Sequence, residues 1–231
     1  MSGEMAIRKY EKHLAFYEMR DELKKAKHCA FCTLERKRMH QYFDGLLYEK
    51  VNDPGIRRSL VRSAGFCPRH AHMLAGFGDS LGTAILYQDQ IRLRMKTMEK
   101  MGSPLRKSRK PSPSAAKKQE DCPACRIEGQ MRMGHAHSLL QGLTDPEMVD
   151  AFETSAGLCF PHFTFAVNEA EDPGVRSVLI RVQKEKMERL SAQLKEFMDK
   201  HDYRRISEGF AEEKDSWLRA VELVSGLKNV F

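Results

Sequence analysis

The apolar residues of this chain recur at intervals of three and four positions, which is the spacing of one face of an α-helix. In the helix predicted for residues 33–50, the positions expected to face inward are Leu34, Phe43, Leu46 and Leu47. Runs in which β-branched and polar residues alternate, the pattern of a strand, do not occur. The pattern therefore predicts an all-α protein.

Two other helices carry apolar seams from which we predict their buried faces. An N-terminal docking helix is expected over residues 4–26, with a seam formed by Ile7, Tyr10, Leu14, Tyr17 and Leu23. A longer helix is expected over residues 80–101, with Ala84, Tyr87, Ile91, Met95 and Met98 spaced for burial. The tail contains the single tryptophan, Trp217, in a short predicted helix that we expect to pack across both halves of the chain.

Capping residues divide these apolar patterns into short helices. An Asp-Pro pair begins a helix at residues 53–54, 145–146 and 172–173. The aspartate accepts a free first-turn N–H group, and proline gives up a donor that has no partner at that position. Gly65 and Gly157 can each adopt the left-handed conformation that ends a helix.

One stretch occurs twice and organises the rest of the chain. Residues 63–70 read Ser-Ala-Gly-Phe-Cys-Pro-Arg-His, and residues 155–162 read Ser-Ala-Gly-Leu-Cys-Phe-Pro-His. Each copy follows a CxxC pair, with 34 residues between Cys32 and Cys67 and 33 between Cys125 and Cys159. Caps and apolar faces repeat at the same offset, so we infer an internal duplication.

Together the two copies use all six cysteines and two of the nine histidines. Three thiolates and one imidazole form a common ligand set for structural zinc, which is tetrahedral and leaves no position for substrate water. We therefore predict an all-α duplicated helical bundle in which each half is built round its own Cys3His site, with two zinc ions in all. The predicted ligands are Cys29, Cys32, Cys67 and His70 in the first half, and Cys122, Cys125, Cys159 and His162 in the second.

Other uses of these residues remain open at this stage. Thiolates also hold iron–sulfur clusters, in which histidine can replace cysteine, and a CxxC pair can serve thiol redox chemistry. His28 and His72 flank the predicted ligands, and either could assist a site or take part in it. No motif of a known catalytic site occurs, so the sequence favours a protein without enzymatic activity.

The net charge of +7 is concentrated in one segment. Residues 102–120 are rich in proline, serine and lysine, which predicts a linker, and they contain one acidic residue, Glu120. Their six basic residues are Arg106, Lys107, Arg109, Lys110, Lys117 and Lys118. Such a cluster can bind nucleic acid, or it can simply be solvated.

The expected organisation has five parts, which are the N-terminal helix (1–28), the first repeat (29–101), the basic linker (102–120), the second repeat (121–200) and a C-terminal extension packing on the repeats (201–231). The N-terminus lacks the apolar stretch of a signal peptide, and no later run is long enough to span a membrane. We expect a cytoplasmic protein, in keeping with cysteines that serve as metal ligands.

The arrangement resembles an uncharacterised prokaryotic family whose members carry two CxxC…CxxH units and a particular C-terminal stretch. In this chain that stretch reads Lys200-His-Asp-Tyr203, then Glu212-Glu-Lys-Asp215-Ser-Trp217, then Gly226. The resemblance implies a domain of unknown function that is frequent in anaerobic bacteria and archaea, and it therefore raises the iron–sulfur alternative.

Two functions follow from these observations. The first is a non-enzymatic, zinc-stabilised helical protein that binds a macromolecular partner, with nucleic acid as a candidate through the basic linker. The second is an electron-transfer or redox-sensing protein that uses the same eight residues to hold iron–sulfur clusters.

Overall fold

A computed structural model describes residues 12–102, 121–228 and 230, and within these ranges every regular element is helical. The α-helices are α1 Leu14–Lys25, α2 Ala30–Gly45, α3 Pro54–Arg62, α4 Pro68–Ala75, α5 Ser80–Gly102, α6 Pro123–Gly142, α7 Pro146–Thr154, α8 Phe160–Glu169, α9 Pro173–Asp199 and α10 Ser216–Ser225. A π-helical turn, Leu46–Lys50, continues α2, and a 3-10 turn occupies Ile206–Glu208. The prediction of an all-α fold is confirmed.

The chain forms two compact units, of which the first is built from two parts that are distant in sequence and the second is one continuous stretch. The first unit comprises Met1–Arg36 and Met131–Phe231, as far as these are described, and the second comprises Lys37–Gln130. Both boundaries fall inside helices, one in α2 and the other in α6. Each unit therefore contains residues from both copies of the sequence repeat.

Each unit has its own buried apolar side chains. In the first unit, α1 packs on α7, α8 packs on α9, and the largest buried side chains include Phe16, Phe31 and Phe152. In the second unit, the rings of Phe43 and Phe66 meet edge to face, 5.4 Å apart. The sulfur and imidazole ligands discussed below lie among these apolar residues.

The predicted helix starts are confirmed. Ile56 N–H donates to Asp53 Oδ1 at 2.8 Å, and Glu147 N–H donates to Asp145 Oδ1 at 2.9 Å. At the start of α9, Asp172 Oδ1 accepts from two N–H groups of the first turn. These caps are local contacts, and so they could be predicted from adjacent residues.

The predicted seam of α1 is partly wrong. The buried positions are Phe16, Met19 and Leu23, whereas Leu14 is 84% exposed; Ile7 and Tyr10 lie outside the described residues. Lys12 and Arg20 both bond the carboxylate of Glu147 at the start of α7, at 2.8 and 3.0 Å. The apolar face formed by Phe16, Met19 and Leu23 packs into the core, and these two exposed contacts are compatible with that rotation of α1.

The predicted seam of α5 is also partly wrong, because Ile91, Met95 and Met98 are exposed while Leu86 and Gln90 are buried. Polar contacts of α5 accompany this rotation of the helix. Arg57 Nε donates to Asp89 at 2.7 Å, and Arg94 donates to the carbonyl of Ala64 at 2.7 Å. Both contacts tie α5 to α3 and the residues after it, where Gln90 lies against Gly65.

The C-terminal stretch closes on itself before α10 begins. Lys200 Nζ donates to Glu213 Oε1 at 2.7 Å, and the N–H of Ala211 donates to the same oxygen at 3.0 Å. From there α10 packs against α8 and α9. Trp217 is 50% exposed.

The basic linker is not part of the described structure. Arg106, Lys107, Arg109, Lys110, Lys117 and Lys118 all lie outside the described residues. Among the helices that are described, none combines the length and apolarity required to cross a lipid bilayer.

Candidate metal centres

The eight predicted ligands come together in two clusters of three cysteines and one histidine. The first, here called the buried cluster, consists of Cys29, Cys32, Cys159 and His162, and the second, the half-buried cluster, consists of Cys67, His70, Cys122 and Cys125. In each cluster the four donor atoms all lie within 4.8 Å of one another. The prediction of two Cys3His clusters is confirmed.

The predicted assignment of these residues to the clusters is wrong. We expected Cys29 and Cys32 to join the downstream Cys67 and His70 of their own half, but they join Cys159 and His162 instead. The pairs are exchanged because α2 and α6 each begin in one unit and end in the other. A CxxC pair at the start of either helix therefore lies in the unit that contains the CxxH of the other copy.

Each CxxH segment is positioned by the start of a short helix. Cys67 and Cys159 are the N-cap residues of α4 and α8, with a proline in the first turn of each helix. His70 and His162 lie three residues later, so that the imidazole and the sulfur of each pair point to the same place. Their Nδ1–Sγ separations are 3.3 and 3.2 Å.

Loops that contain left-handed residues lead into both cysteines. Gly65 and Gly157 have φ values of +96° and +82°, as predicted, and Ala64 also adopts a positive φ of 56°. In the first unit Gln183 holds the loop, since Leu158 N–H donates to its Oε1 at 3.0 Å and its Nε2 donates to the Leu158 carbonyl at 2.8 Å. These two bonds fix the backbone immediately before Cys159.

The buried cluster has the spacing of donors around a single ion. Sγ of Cys32 lies 3.6 Å from Sγ of Cys159, and the three sulfur atoms lie 3.2 to 3.5 Å from Nδ1 of His162. Tetrahedral geometry with a Zn–S bond of about 2.3 Å places two sulfurs about 3.8 Å apart. All four residues are buried, and Cys29 is the most exposed of them at 8%.

The half-buried cluster has nearly the same internal distances. Its Cys67 and Cys125 sulfurs are 3.6 Å apart, and its sulfur-to-Nδ1 distances to His70 run from 3.3 to 3.7 Å. His70 is fully buried, but all three cysteines are partly exposed to solvent. The two clusters thus share a donor set and differ in their access to water.

A glutamate that the sequence analysis did not single out lies behind each histidine. Glu35 Oε1 is 3.1 Å from Nε2 of His162, and Arg132 donates to both oxygens of Glu35 at 2.8 and 3.0 Å. Such a carboxylate fixes the tautomer of a metal-binding histidine, with the proton on Nε2 and the lone pair of Nδ1 free for the ion. Glu35 is fully buried, so its charge requires both partners.

The half-buried cluster repeats this arrangement in looser form. Glu128 Oε1 is 3.8 Å from Nε2 of His70, which is beyond hydrogen-bond distance, and Arg69 donates to both Glu128 oxygens. The signal for both glutamates is in the sequence, since each CxxC is followed by Glu three residues later, giving CxxCxxE at 29–35 and 122–128. At this helical spacing the carboxylate lies on the same side of the helix as the second cysteine.

The charges within each cluster are those of a site that needs a cation. Burial lowers the pKa of His162, but the contacts with Cys159 and its other neighbours outweigh burial and raise the pKa to about 11. Burial likewise lowers the pKa of His70, and Cys122 and Glu128 raise it to about 9. Without a metal, each imidazole therefore holds a proton beside a thiolate, and a divalent ion would displace that proton.

The pKa values of the thiols also indicate a site that is completed by a cation. Burial and the adjacent Cys67 raise the pKa of Cys125 to about 12, because a second thiolate beside the first is unfavourable. A coordinating thiol, by contrast, is deprotonated by the metal itself. The donor set, its spacing and its charges fit a bound metal ion in each cluster.

Neither flanking histidine lies in a cluster within the described part of the chain. His28 Nδ1 instead contacts Glu222 Oε2 on α10 at 2.6 Å. His72 belongs to α4 but is absent from the half-buried cluster. The six cysteines are all free thiols, so no disulfide competes for the ligands.

Comparison with known proteins assigns the chain to a family but indicates no activity. It is 29% identical over 200 residues to an "Uncharacterized 23.9 kDa protein in xynA 3'region" of Caldicellulosiruptor sp. (strain Rt8B.4), an alignment that covers 86% of this chain and 95% of that protein. No solved structure matches it significantly. Residues 11–230 match the sequence profile of the Family of unknown function (DUF6062), and the chain belongs to that family.

Proposed function

We propose that this protein is a non-enzymatic helical scaffold in which each Cys3His cluster binds one structural zinc ion. The observation that carries the proposal is the packing of four protein donors within 4.8 Å of one another in both clusters. Four protein ligands complete a tetrahedral zinc site and leave no position for a reacting water. The glutamate behind each histidine supports the same conclusion, since it orients the ring for metal binding.

Donor spacing favours zinc over an iron–sulfur cluster. In a multi-iron cluster, iron and sulfide atoms occupy the space between the thiolates, and the cysteines bind different irons. The sulfurs of Cys32 and Cys159 are 3.6 Å apart, as are those of Cys67 and Cys125, which leaves room for one ion at the centre of each cluster. The exchange of ligands between the repeats does not change this preference, because each cluster keeps three sulfurs and one nitrogen.

Zinc would stabilise the fold by joining segments that are far apart in sequence. The buried cluster connects the start of α2 with the start of α8, and the half-buried cluster connects the start of α4 with the start of α6. In zinc-finger peptides a structural zinc contributes on the order of 10 kcal/mol of binding free energy, which becomes folding free energy. Two such ions would fix the short helices of both units.

Metal analysis joined to visible absorption tests this proposal on protein purified without air. We expect two zinc ions per chain, no acid-labile sulfide and no absorption in the visible range. Iron in stoichiometric amounts together with sulfide would replace the proposal by the electron-transfer alternative. Chelation of both ions is expected to lower the helical circular-dichroism signal and the melting temperature, whereas an unchanged melt would contradict a structural role.

We further propose that the scaffold binds a macromolecular partner, and nucleic acid is the candidate that the charge of the linker supports. Residues 102–120 contain six basic residues and one acidic residue, while the rest of the chain is close to neutral. Each phosphate that a Lys or Arg neutralises releases counterions, so the affinity would fall steeply with salt.

A matched pair of variants tests the nucleic-acid proposal. Changing Arg106, Lys107 and Arg109 to Gln is expected to weaken binding to a duplex DNA and to reduce the salt slope by about one for each phosphate that is no longer neutralised. The control changes three exposed lysines of the described units, Lys184, Lys195 and Lys214, and carries the same change in net charge. Equal effects of both variants, or none from the linker variant, would remove the linker from the proposal.

A further inference from the structure

A pocket of about 300 Å³ opens beside the buried cluster. Its walls come from the loop that leads to Cys159, from α9 and from α10, and Cys29 and Cys159 both contribute to its lining. This volume is at the lower end of the range for small-molecule sites in proteins. The proposed zinc scaffold gives this pocket no role.

Two cations on α9 face the pocket without a carboxylate partner among the described residues. Lys186 Nζ donates to the backbone carbonyls of Glu153 and Ser155 at 2.8 and 2.6 Å, and Arg189 lies one turn further along the helix. Burial, and next to it the like charge of Arg189, lower the pKa of Lys186, although the more distant carboxylates of Glu153 and Glu185 act in the opposite direction. Two like charges that line the same pocket favour the binding of an anion there.

Apart from the thiolates of Cys29 and Cys159, the lining has four basic residues with a permanent charge and two acidic ones. Nδ1 of His28 lies 2.6 Å from Oε2 of Glu222. Nε of Arg219 lies 2.8 Å from Oδ1 of Asp215, with which it forms an ion pair. Glu212 has no ion pair in the described structure, and the partner of Glu222 is an imidazole, so these two acidic residues are set against Lys186, Arg189 and a third cation, Lys27.

The lining also has an apolar side. Leu190 of α9 and Leu223 of α10 contribute to the wall, together with Leu158 and Leu227. A hydrated inorganic ion would gain little from these side chains, whereas an organic ligand can cover them. Pockets that combine an apolar wall with a few convergent charged groups are typical of small-molecule sites.

We propose that this pocket binds a small organic anion, whose phosphate or carboxylate group is held by Lys186 and Arg189 and whose apolar part lies on Leu190 and Leu223. The proposal is independent of the identity of the metal in the buried cluster. The anionic group would neutralise the charge of the two cations. The leucines would favour a ligand with a ring or a short alkyl chain.

Three probes of similar shape test the proposal on the full-length metal-loaded protein. Phenyl phosphate, benzoate and neutral benzyl alcohol are titrated separately, and binding is followed by ligand-observed NMR. We expect at least one of the two anions to bind about tenfold or more tightly than benzyl alcohol, since the neutral probe cannot form a charge-assisted hydrogen bond. The stronger of the two anions distinguishes a phosphate ligand from a carboxylate ligand. No binding by either anion, or equal binding by all three probes, overturns the proposal.

Variants of α9 locate the binding. Arg189→Gln is expected to weaken binding of the preferred anion by about tenfold, with metal content and melting temperature unchanged. Lys184→Gln removes the same charge from the same helix at a residue outside the lining, and we expect it to bind as the unaltered protein does. If both variants weaken binding equally, the anion is attracted by net charge and the pocket is not its site.

A second variant distinguishes anion binding by Arg189 from a purely structural role of this residue. Arg189 could instead serve to balance the negative charge of the metal-bound thiolates, in which case Arg189→Gln would release metal without a separate effect on the anion. That outcome overturns the proposal. Arg189→Lys keeps the charge, and we expect it to retain most of the affinity that Arg189→Gln loses.

Discussion

The buried cluster and the half-buried cluster have the same donors, the same glutamate behind the histidine and nearly the same distances, yet they differ in exposure. All four residues of the first are buried, whereas three cysteines of the second are partly open to solvent. The contact between His and Glu differs in the same sense, at 3.1 Å in the first cluster and 3.8 Å in the second. A duplicated motif has thus produced one enclosed site and one accessible site.

The difference in exposure has a direct consequence for metal exchange. A chelator or a competing thiol must reach the ligands before it can remove an ion, and access is one of the factors that determine thiol reactivity. The buried cluster therefore suits a permanent structural ion, while the half-buried cluster suits an ion that exchanges with its surroundings.

The largest expected effects come from loss of a single ligand, and Trp217 makes the two units distinguishable. Cys159→Ser is expected to lower the free energy of unfolding of the first unit by about 4 kcal/mol or more, since loss of a metal belongs to the most destabilising kinds of substitution. Trp217 lies in that unit, so its fluorescence transition in urea is expected to shift. Cys122→Ser is expected to lower the helical circular-dichroism signal and leave the Trp217 transition in place.

This pair of variants also tests the exchange of ligands between the repeats. If Cys122 and Cys159 belonged to one site, both substitutions would shift the fluorescence of Trp217 to a similar extent. Ser138→Ala, a change at a half-buried serine of α6 whose hydroxyl donates to the Gly134 carbonyl of the same helix, serves as the control and is expected to shift neither signal.

A second prediction concerns the rate of metal removal. With a chelator in excess, we expect zinc to leave in two phases of equal amplitude, the faster phase from the half-buried cluster. The coloured complex of zinc with 4-(2-pyridylazo)resorcinol reports the released ion. Cys67→Ser is expected to abolish the fast phase and retain the slow one; a single phase in the unaltered protein would contradict the difference between the clusters.

Substitution of the glutamate behind each histidine is expected to have a smaller effect, which is confined to the metal affinity of one cluster. Removal of such a partner typically lowers metal affinity by about 10 to 100-fold. We expect Glu35→Gln to weaken the buried site towards the upper end of this range, because its contact with His162 is a hydrogen bond, and Glu128→Gln to weaken the half-buried site less. Competition with a chelator of known affinity measures both, and the reverse order would show that the 3.8 Å contact tightens when metal binds.

The smallest expected effect lies outside both clusters, at the ion pair of the C-terminal stretch. A hydrogen bond from Lys200 lowers the pKa of Glu213 to about 2, with a further contribution from the N–H of Ala211. A carboxylate whose pKa is depressed by folding adds stability above its ordinary pKa of 4.5, and that stability is lost as the pH falls towards 2. Relative to Glu213→Gln, the unaltered protein is therefore expected to be more stable at pH 7.

The pH dependence of stability, compared between the unaltered protein and Glu213→Gln, tests the sign of the contribution of Glu213. Urea unfolding followed from pH 7 downward is expected to give a difference between the two proteins that is constant at first and shrinks below about pH 4.5. Metal loss in acid occurs in both proteins and cancels in this difference. A difference that grows in acid would contradict the assignment of the ion pair.

Features that depend on neighbouring residues could be predicted from the sequence. The caps at Asp53, Asp145 and Asp172 and the left-handed Gly65 and Gly157 are all confirmed. Each of these features depends on contacts among residues that are close in sequence. The ligand types could be predicted as well, because donor chemistry is a property of the side chain.

Features that depend on distant contacts could not be predicted. The faces that α1 and α5 bury depend on the elements packed against them, and the observed rotations bring Lys12 and Arg20 to Glu147, and Asp89 and Arg94 to α3 and the residues after it. Nothing in the spacing of apolar residues reveals these partners. The assignment of ligands to clusters failed for the same reason, since both repeats offer identical donors and only the path of α2 and α6 decides between them.

The exchange of ligands means that neither repeat contains a complete set of donors for either ion. A shorter chain with a single repeat would hold one CxxC and one CxxH that cannot meet, and it would complete its coordination only by associating with a second copy of itself. Two such chains joined end to end would contain the same ligand segments, in the same order, as the present molecule.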